Sequence, residues 1–255
     1  MKIIAYPERH DPEDFQRYHL PEILERGFDT ILFPICEQTW QFNLHNIKEM
    51  REIAEKAGLD TWAGPWALCG IFAGEALSTF RPNDAGADEV LELWKADVIA
   101  AGFRTIFLDE PNIDCDPDTL YAWYRRQRTI TMPEIRLVTT LDDEMFDSLS
   151  DEQIRTLPVD SIGVSVYHWT KDITKITRRT LMWTSRLRRL RPNDSHVWIQ
   201  GFDLEAGAEW IPVMTKQLAR TMGVTNFGHW SFRASRCVAT KTPPNWREVW
   251  DSMYY

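Results

Sequence analysis

The 255-residue chain has no apolar run of 18 residues, so no transmembrane helix is expected. In its amino-terminal stretch MKIIAYPERHDPED the apolar run is only four residues long and charges follow, so no secretory signal is visible in it. Cysteine is scarce. Cys36, Cys69, Cys115 and Cys237 are far apart and form no CxxC pair, which speaks against a disulfide framework. These features give the expectation of a reduced, cytoplasmic protein, with a secreted chain that has lost its signal as the alternative. Positive charge is in deficit: 29 Lys and Arg against 38 Asp and Glu, a net charge of -9. That balance argues against nucleic acid and anionic lipid as partners. No GxGxxG or GxxxxGKS/T follows any candidate strand, so a dinucleotide or P-loop phosphate site is not indicated. Low-complexity segments and linkers are also missing.

Hydrophobic residues make up 44% of the chain and charged residues 26%, enough to bury a core. One motif recurs: a polar helical stretch ends at glycine and a short β-branched or aromatic run follows. It appears at Gly27-Phe28-Asp29-Thr30-Ile31, Gly58-Leu59-Asp60-Thr61-Trp62, Gly102-Phe103-Arg104-Thr105-Ile106 and Gly223-Val224-Thr225-Asn226-Phe227. Glycine closes the last turn of a helix in the left-handed conformation, and a buried parallel strand reads as a short apolar run. Each copy is therefore a helix-to-strand joint. Strands are predicted at 2–6, 30–35, 61–67, 104–109, 135–141, 161–167, 196–201 and 226–232. Helices are predicted at 12–26, 46–57, 87–101, 117–130, 143–156, 172–190, 207–222 and 245–254. Asp11-Pro12 and Asp116-Pro117 mark two helix starts, and Asp142 or Asp143 a third. Eight βα units in this length predict an α/β fold, a single (βα)8 TIM barrel spanning 1–255, with an open doubly wound sheet as the alternative.

In such a barrel, active groups lie at the carboxyl ends of the strands and in the loops that follow. The sharpest feature there is Asp109-Glu110-Pro111, directly after Ile106-Phe107-Leu108. Two acids at that place are costly unless they line a wet or functional cavity. Strand side chains alternate, so both can face the axis only if the chain turns, and Pro111 favours a turn. Other rim candidates are Glu8, Trp40, Trp66, Tyr167, His168, Trp169, Gln200, Asp203, His229 and Trp230. Carboxylates mixed with aromatics suit a neutral, polyhydroxylated ligand, and twelve tryptophans in the chain fit that reading.

Here the chain resembles the retaining clan of TIM-barrel glycoside hydrolases, which carry Asn-Glu-Pro at the end of strand four. Asp109, Glu110 and Pro111 occupy that motif, with aspartate replacing asparagine. The resemblance implies that Glu110 is the acid/base. It departs at strand seven, where Gln200 stands at the place of the clan's nucleophilic glutamate. Glycoside cleavage needs two carboxyl groups. Glu75, a lone acid in Gly70-Ile71-Phe72-Ala73-Gly74-Glu75, is the first choice of partner, with Asp203 and Asp109 as others; Asp109 alternatively orients Glu110. Trp40, Trp66, Tyr167, Trp169 and Trp230 suit sugar subsites, with Glu8, His168, Gln200 and His229 as polar contacts. The scheme requires no cofactor and no metal. Its partner is a small-molecule or oligosaccharide substrate; oligomeric state is not encoded.

Three rivals stand beside it. A metal-dependent isomerase or aldolase would gather Glu110, His168, Asp203 and His229, without any HxH or HExxH spacing. A cysteine nucleophile would use Cys36 or Cys69 with His229. A non-catalytic carbohydrate-binding barrel would explain Gln200. The basic run from Arg178 to Arg191 reads as a solvated helix face, or alternatively as a surface for an acidic partner.

Overall fold

The computed structural model describes residues 1–35, 40–65, 86–111, 116–234 and 242–252, the side chains of 40–42 and 87 excepted. Eight parallel strands close into a barrel in chain order, with the first paired to the last. They are β1 (Lys2–Ala5), β2 (Thr30–Pro34), β3 (Asp60–Gly64), β4 (Thr105–Asp109), β5 (Arg136–Leu141), β6 (Ser161–Val166), β7 (Ser195–Gln200) and β8 (Phe227–Trp230). The outer layer begins with α1 (Pro12–Asp14), which runs through a π-helical turn at Phe15–His19 into α2 (Leu20–Glu25). It continues with α3 (Trp40–Lys56), α4 (Ala87–Ala100), α5 (Pro117–Ile130), α6 (Asp143–Ser148), α7 (Asp151–Thr156), α8 (Ile173–Leu190), α9 (Trp210–Thr221) and α10 (Trp246–Ser252).

The local signals act as the sequence predicts. Gly27, Gly58, Gly102 and Gly223 have φ of 68°, 89°, 104° and 81°, the left-handed turn that ends a helix before a strand. Asp11 caps α1 by accepting from the N–H groups of Glu13 (3.0 Å) and Asp14 (3.2 Å). Asp116 caps α5 in the same way, through Asp118 and Thr119. One expected helix, 143–156, is two. Ser150 forms a capping box with Gln153, so α7 starts afresh where a continuous helix had been expected.

Alternation divides the buried side chains into two cores. The helix-facing sides of the strands contribute Ile4, Ile31, Ile106, Leu108, Ile162 and Val197 to the large outer core. The axis-facing sides contribute Ile3, Ala5, Leu32, Trp62, Phe107, Val138, Trp198 and Trp230 to the barrel interior. Three indoles in one barrel need small neighbours. A Cβ on Gly228 would lie 2.5 Å from the Trp198 ring, and one on Gly163 would collide with His196. The strands flanking β7 thus give up side-chain volume so that β7 can carry His196 and Trp198 inward. Burial holds His196 neutral, pushing its pKa down to about 3, and its Nδ1 lies 3.0 Å from the Ser161 hydroxyl.

The basic run on α8 faces acids of its neighbours. Arg179 pairs with Asp143, and Arg186 and Arg189 both pair with Asp151 at 2.9 and 2.7 Å. Arg191 pairs with Asp194. Arg179, Arg186 and Arg189 thus knit α8 to α6 and α7, where Asp143 and Asp151 match their charge. Among the described residues, no helix is long and apolar enough to cross a membrane.

Candidate active site

Phe107 and Asp109 share the axis-facing side of β4, so Asp109 emerges at the mouth of the barrel. There it lines a small depression with Leu32, Pro34, Gly64, Phe107 and Trp230. Plain alternation would send Glu110 toward the helices. Instead Glu110 takes φ of 36°, a left-handed turn that side chains other than glycine seldom adopt. Its N–H still donates to the Thr140 carbonyl at 3.1 Å, so the turn is made while the chain remains tied to β5. The Glu110 carboxyl then comes near Ser165, an axis-facing residue of β6, and near enough to Asp109 for the two charges to act on each other. The two consecutive acids therefore share the mouth.

A third carboxyl joins them. β4 and β5 pair with Asp109 opposite Thr140, and Asp142 follows on the same side of the chain. It caps α6 by accepting from the Met145 N–H at 2.7 Å. Burial is the first cause raising all three pKa values. Asp109 rises to about 7, with the Asp142 charge second. Glu110 rises well above the usual range, pushed further by Asp109 and then Asp142, while Ser165 opposes the shift. Asp142 rises to about 6, with the Met145 N–H working against burial. Three carboxyls that cannot all ionise together hold a proton near neutral pH, the condition for a general acid.

Sequence reasoning took Asp142 for a helix cap and passed over Ser165. Asp142 does cap α6, but the strand-end rule that picked out Asp109 applies equally to the residue after Thr139-Thr140-Leu141. Ser165 was legible as the last small residue in the axis-facing series Ser161, Gly163, Ser165.

The remaining candidates separate. Trp230 is buried at the mouth, its ring 6.1 Å from Trp198. Tyr167 packs against the interior core and meets Phe202 edge-on at 5.0 Å. Gln200 is occupied by backbone: its Oε1 accepts from the His168 N–H at 2.7 Å and its Nε2 donates to the Phe202 carbonyl at 3.1 Å. It braces the loops after β6 and β7, which explains its presence without a lost nucleophile. His229 is corrected outright. Gly228 and Trp230 take the axis-facing positions of β8, and His229 lies fully buried on the helix side, edge-on to Phe28 at 5.4 Å. Burial pushes its pKa well below the usual value. Glu8 lies after β1 within electrostatic reach of Tyr6 and His19, whose side chains meet at 2.6 Å on the helix side. Asp203, in a left-handed turn (φ 51°), lines a different cavity with His168, Trp169 and Lys171. Glu75, Trp66, Cys36 and Cys69 lie outside the described residues, as does the side chain of Trp40.

The rival metal set is not assembled, because His229 faces the helices, His168 bonds Thr180 of α8, and Asp203 lines the other cavity. Among the described residues, no group of three or more His, Cys, Asp or Glu side chains is placed to hold a metal ion.

No protein-family model and no curated protein sequence matches the chain. Solved structures do match in fold. A fungal endo-β-N-acetylglucosaminidase from glycosyl hydrolase family 18 superposes with a TM-score of 0.62 at 14% identity, over 99% of this chain and 97% of that one. The β-mannanase from Thermomonospora fusca gives 0.58 at 13% identity, over 91% of this chain and 78% of that one. The carboxyl transferase domain of pyruvate carboxylase from Rhizobium etli gives 0.60 at 8% identity, over all of this chain and 47% of that one. The shared feature is the (βα)8 barrel, and glycoside hydrolases are among the proteins that share it.

Proposed function

We propose that the protein hydrolyses a glycosidic bond, with Glu110 as the general acid. The observation that carries this reading is the left-handed turn at Glu110, which brings two consecutive carboxyls to the barrel mouth. A backbone conformation that costs of order 1 kcal/mol or more is retained where the surroundings over-determine it, most often at functional sites. Glu110, kept protonated by burial and by Asp109, donates its proton to the leaving oxygen as the bond from that oxygen to the sugar carbon breaks; a water oxygen bonds that carbon and returns a proton to the Glu110 carboxylate. Asp142, raised only to about 6, is assigned as the ionised carboxyl at neutral pH. Its negative charge favours positive charge developing on the sugar. Asp109 holds the shared proton on Glu110. Trp230 lines the depression beside Asp109. Glu75 is kept as a further candidate for nucleophile or base, whereas Asp203 is assigned away from the chemistry because, among the described residues, its cavity shares no lining residue with the mouth. The fold-level likeness to glycoside hydrolases supports the reading without selecting a sugar, and cytoplasmic location remains part of the proposal.

The test is hydrolysis of a panel of oligosaccharides and aryl glycosides by wild type and Glu110→Gln, with and without EDTA. Turnover is expected to resist the chelator and to fall by about 10²–10⁴-fold in the variant, while the thermal midpoint does not fall. Turnover that survives in Glu110→Gln sinks the assignment of the acid. Turnover lost to EDTA moves the case to a metal enzyme.

A further inference from the structure

Beyond the mouth, the loops after β6 and β7 enclose a cavity of about 220 Å³. That is several times the ~30 Å³ share of one water and smaller than the ~300 Å³ of a drug-sized pocket. One ring fits such a space. Its lining includes His168, Trp169, Lys171, Asp203, Glu205 and Ile211. Trp169 is 64% exposed, an indole face that the protein's own packing leaves in water. His168 is the opposite, only 2% exposed. Its Nε2 meets the Thr180 hydroxyl at 3.0 Å, while its Nδ1 has no hydrogen-bond partner among the described residues. A buried polar atom left in that state costs free energy until something supplies a partner. The imidazole is neutral, since burial lowers its pKa to about 4, and a neutral ring can offer Nδ1 as either donor or acceptor.

Charge narrows the ligand. Lys171 is engaged by Glu205 at 3.1 Å and by the Ala206 carbonyl at 3.0 Å, and Asp203 adds a second carboxylate. Among the described lining residues two carboxylates stand against one ammonium, a balance that disfavours phosphate, sulfate or a uronic acid. An indole plane, a buried imidazole and a carboxylate suit a neutral ring bearing hydroxyl groups. Packing through Phe202 ties the wall of this cavity to the barrel interior. Tyr167 meets one edge of it at 5.0 Å and Trp169 another at 5.8 Å, and Phe202 belongs to the same interior core as Trp198 and Trp230.

We propose that this cavity is a distal subsite for one neutral sugar of an oligosaccharide whose scissile bond lies at Asp109 and Glu110. The inference rests on the hydrolase reading of the mouth and specifies its substrate as a chain rather than a single sugar. Trp169 stacks on the ring, His168 Nδ1 and Asp203 bond its hydroxyls, and Gln200 fixes the loop from which His168 projects.

The experiment uses cello-, manno-, xylo- and chito-hexaoses beside the matching disaccharides. Hydrolysis is measured in wild type and Trp169→Ala. Binding is measured by calorimetry in Glu110→Gln with and without Trp169→Ala. The expected result is that one hexaose series is preferred over its disaccharide, and that Trp169→Ala lowers the hexaose-to-disaccharide ratio of kcat/KM about three- to tenfold, the loss expected from one aromatic contact. Hexaose affinity falls by the same factor, and Asp203→Asn lowers it too. Hydrolysis with no chain-length preference, or with a ratio unmoved by Trp169→Ala, overturns the subsite and leaves the hydrolase. Hexaose binding weakened by Trp169→Ala but without hydrolysis in wild type keeps the sugar site and overturns the hydrolase. Neither binding nor hydrolysis across the panel overturns both.

Discussion

Asp109 carries a stability cost that its position at the mouth requires. Its folded pKa is raised to about 7 from an ordinary value of 3.8, so between those values the folded state holds a proton that the unfolded state has released. Stability contributed by that proton is full below about pH 4 and is lost as the pH rises through 7. Asp109→Asn is therefore expected to stabilise the protein at pH 8, by on the order of a few kcal/mol, and to change little at pH 4. Thermal melts at the two pH values check the sign; equal shifts at both would remove the buried-carboxyl explanation. Asp142 acts on the same proton from the next strand. Replacing it with Asn deletes a negative charge beside Asp109 and Glu110, and their pKa values should move down toward the usual range. In a pH profile of kcat/KM, the alkaline limb of Asp142→Asn should lie at lower pH than that of wild type. A limb that stays in place would show that Asp142 only caps its helix.

The strands explain why the site stands where it does. β7 sends His196 and Trp198 inward because β6 and β8 supply Gly163 and Gly228 beside them. Gly228→Ala would drive a methyl group into the Trp198 ring, whose rigid plane is already packed against Phe107 and Trp230. Overpacking of this kind costs about 1–3 kcal/mol, read as a lower urea midpoint at unchanged slope. The positions of these strands and the helix-to-strand joints were legible in the sequence, because a glycine turn and an apolar run are local signals. Asp109 was legible for the same reason. The turn at Glu110 was foreshadowed by Pro111, but the destination of its carboxyl was not, since Ser165 lies two strands away. His229 was misplaced because a strand-end position alone does not fix which face a residue takes. Gly228 decides that face, through the indole of Trp198, a contact the linear sequence does not reveal.

Closure of the barrel joins the first strand to the last. Lys2, Ile3 and Ile4 pair with Phe227, Gly228 and His229, and the Phe227 N–H donates to the Met1 carbonyl at 3.0 Å. Every ring of contacts around the mouth depends on that seam, because the depression beside Asp109 takes its walls from β2, β3, β4 and β8. Stability and chemistry should nonetheless separate by face. Ile4 is fully buried on the helix-facing side of β1 and has no part in the mouth. Ile4→Ala removes buried methyl and methylene groups and leaves a cavity, a change that costs about 2–5 kcal/mol. For a chain of this size each kcal/mol lowers the thermal midpoint by about 2–4 °C. Well below that midpoint the barrel stays closed, Asp109 and Glu110 keep their places, and kcat should be close to that of wild type. Glu110→Gln should give the reverse pattern, an intact or higher midpoint with turnover lost. Measuring melting temperature and kcat on both variants tests this separation. If Ile4→Ala lost turnover at a temperature where it remains fully folded, the seam would be setting the geometry of the mouth as well as holding the barrel shut.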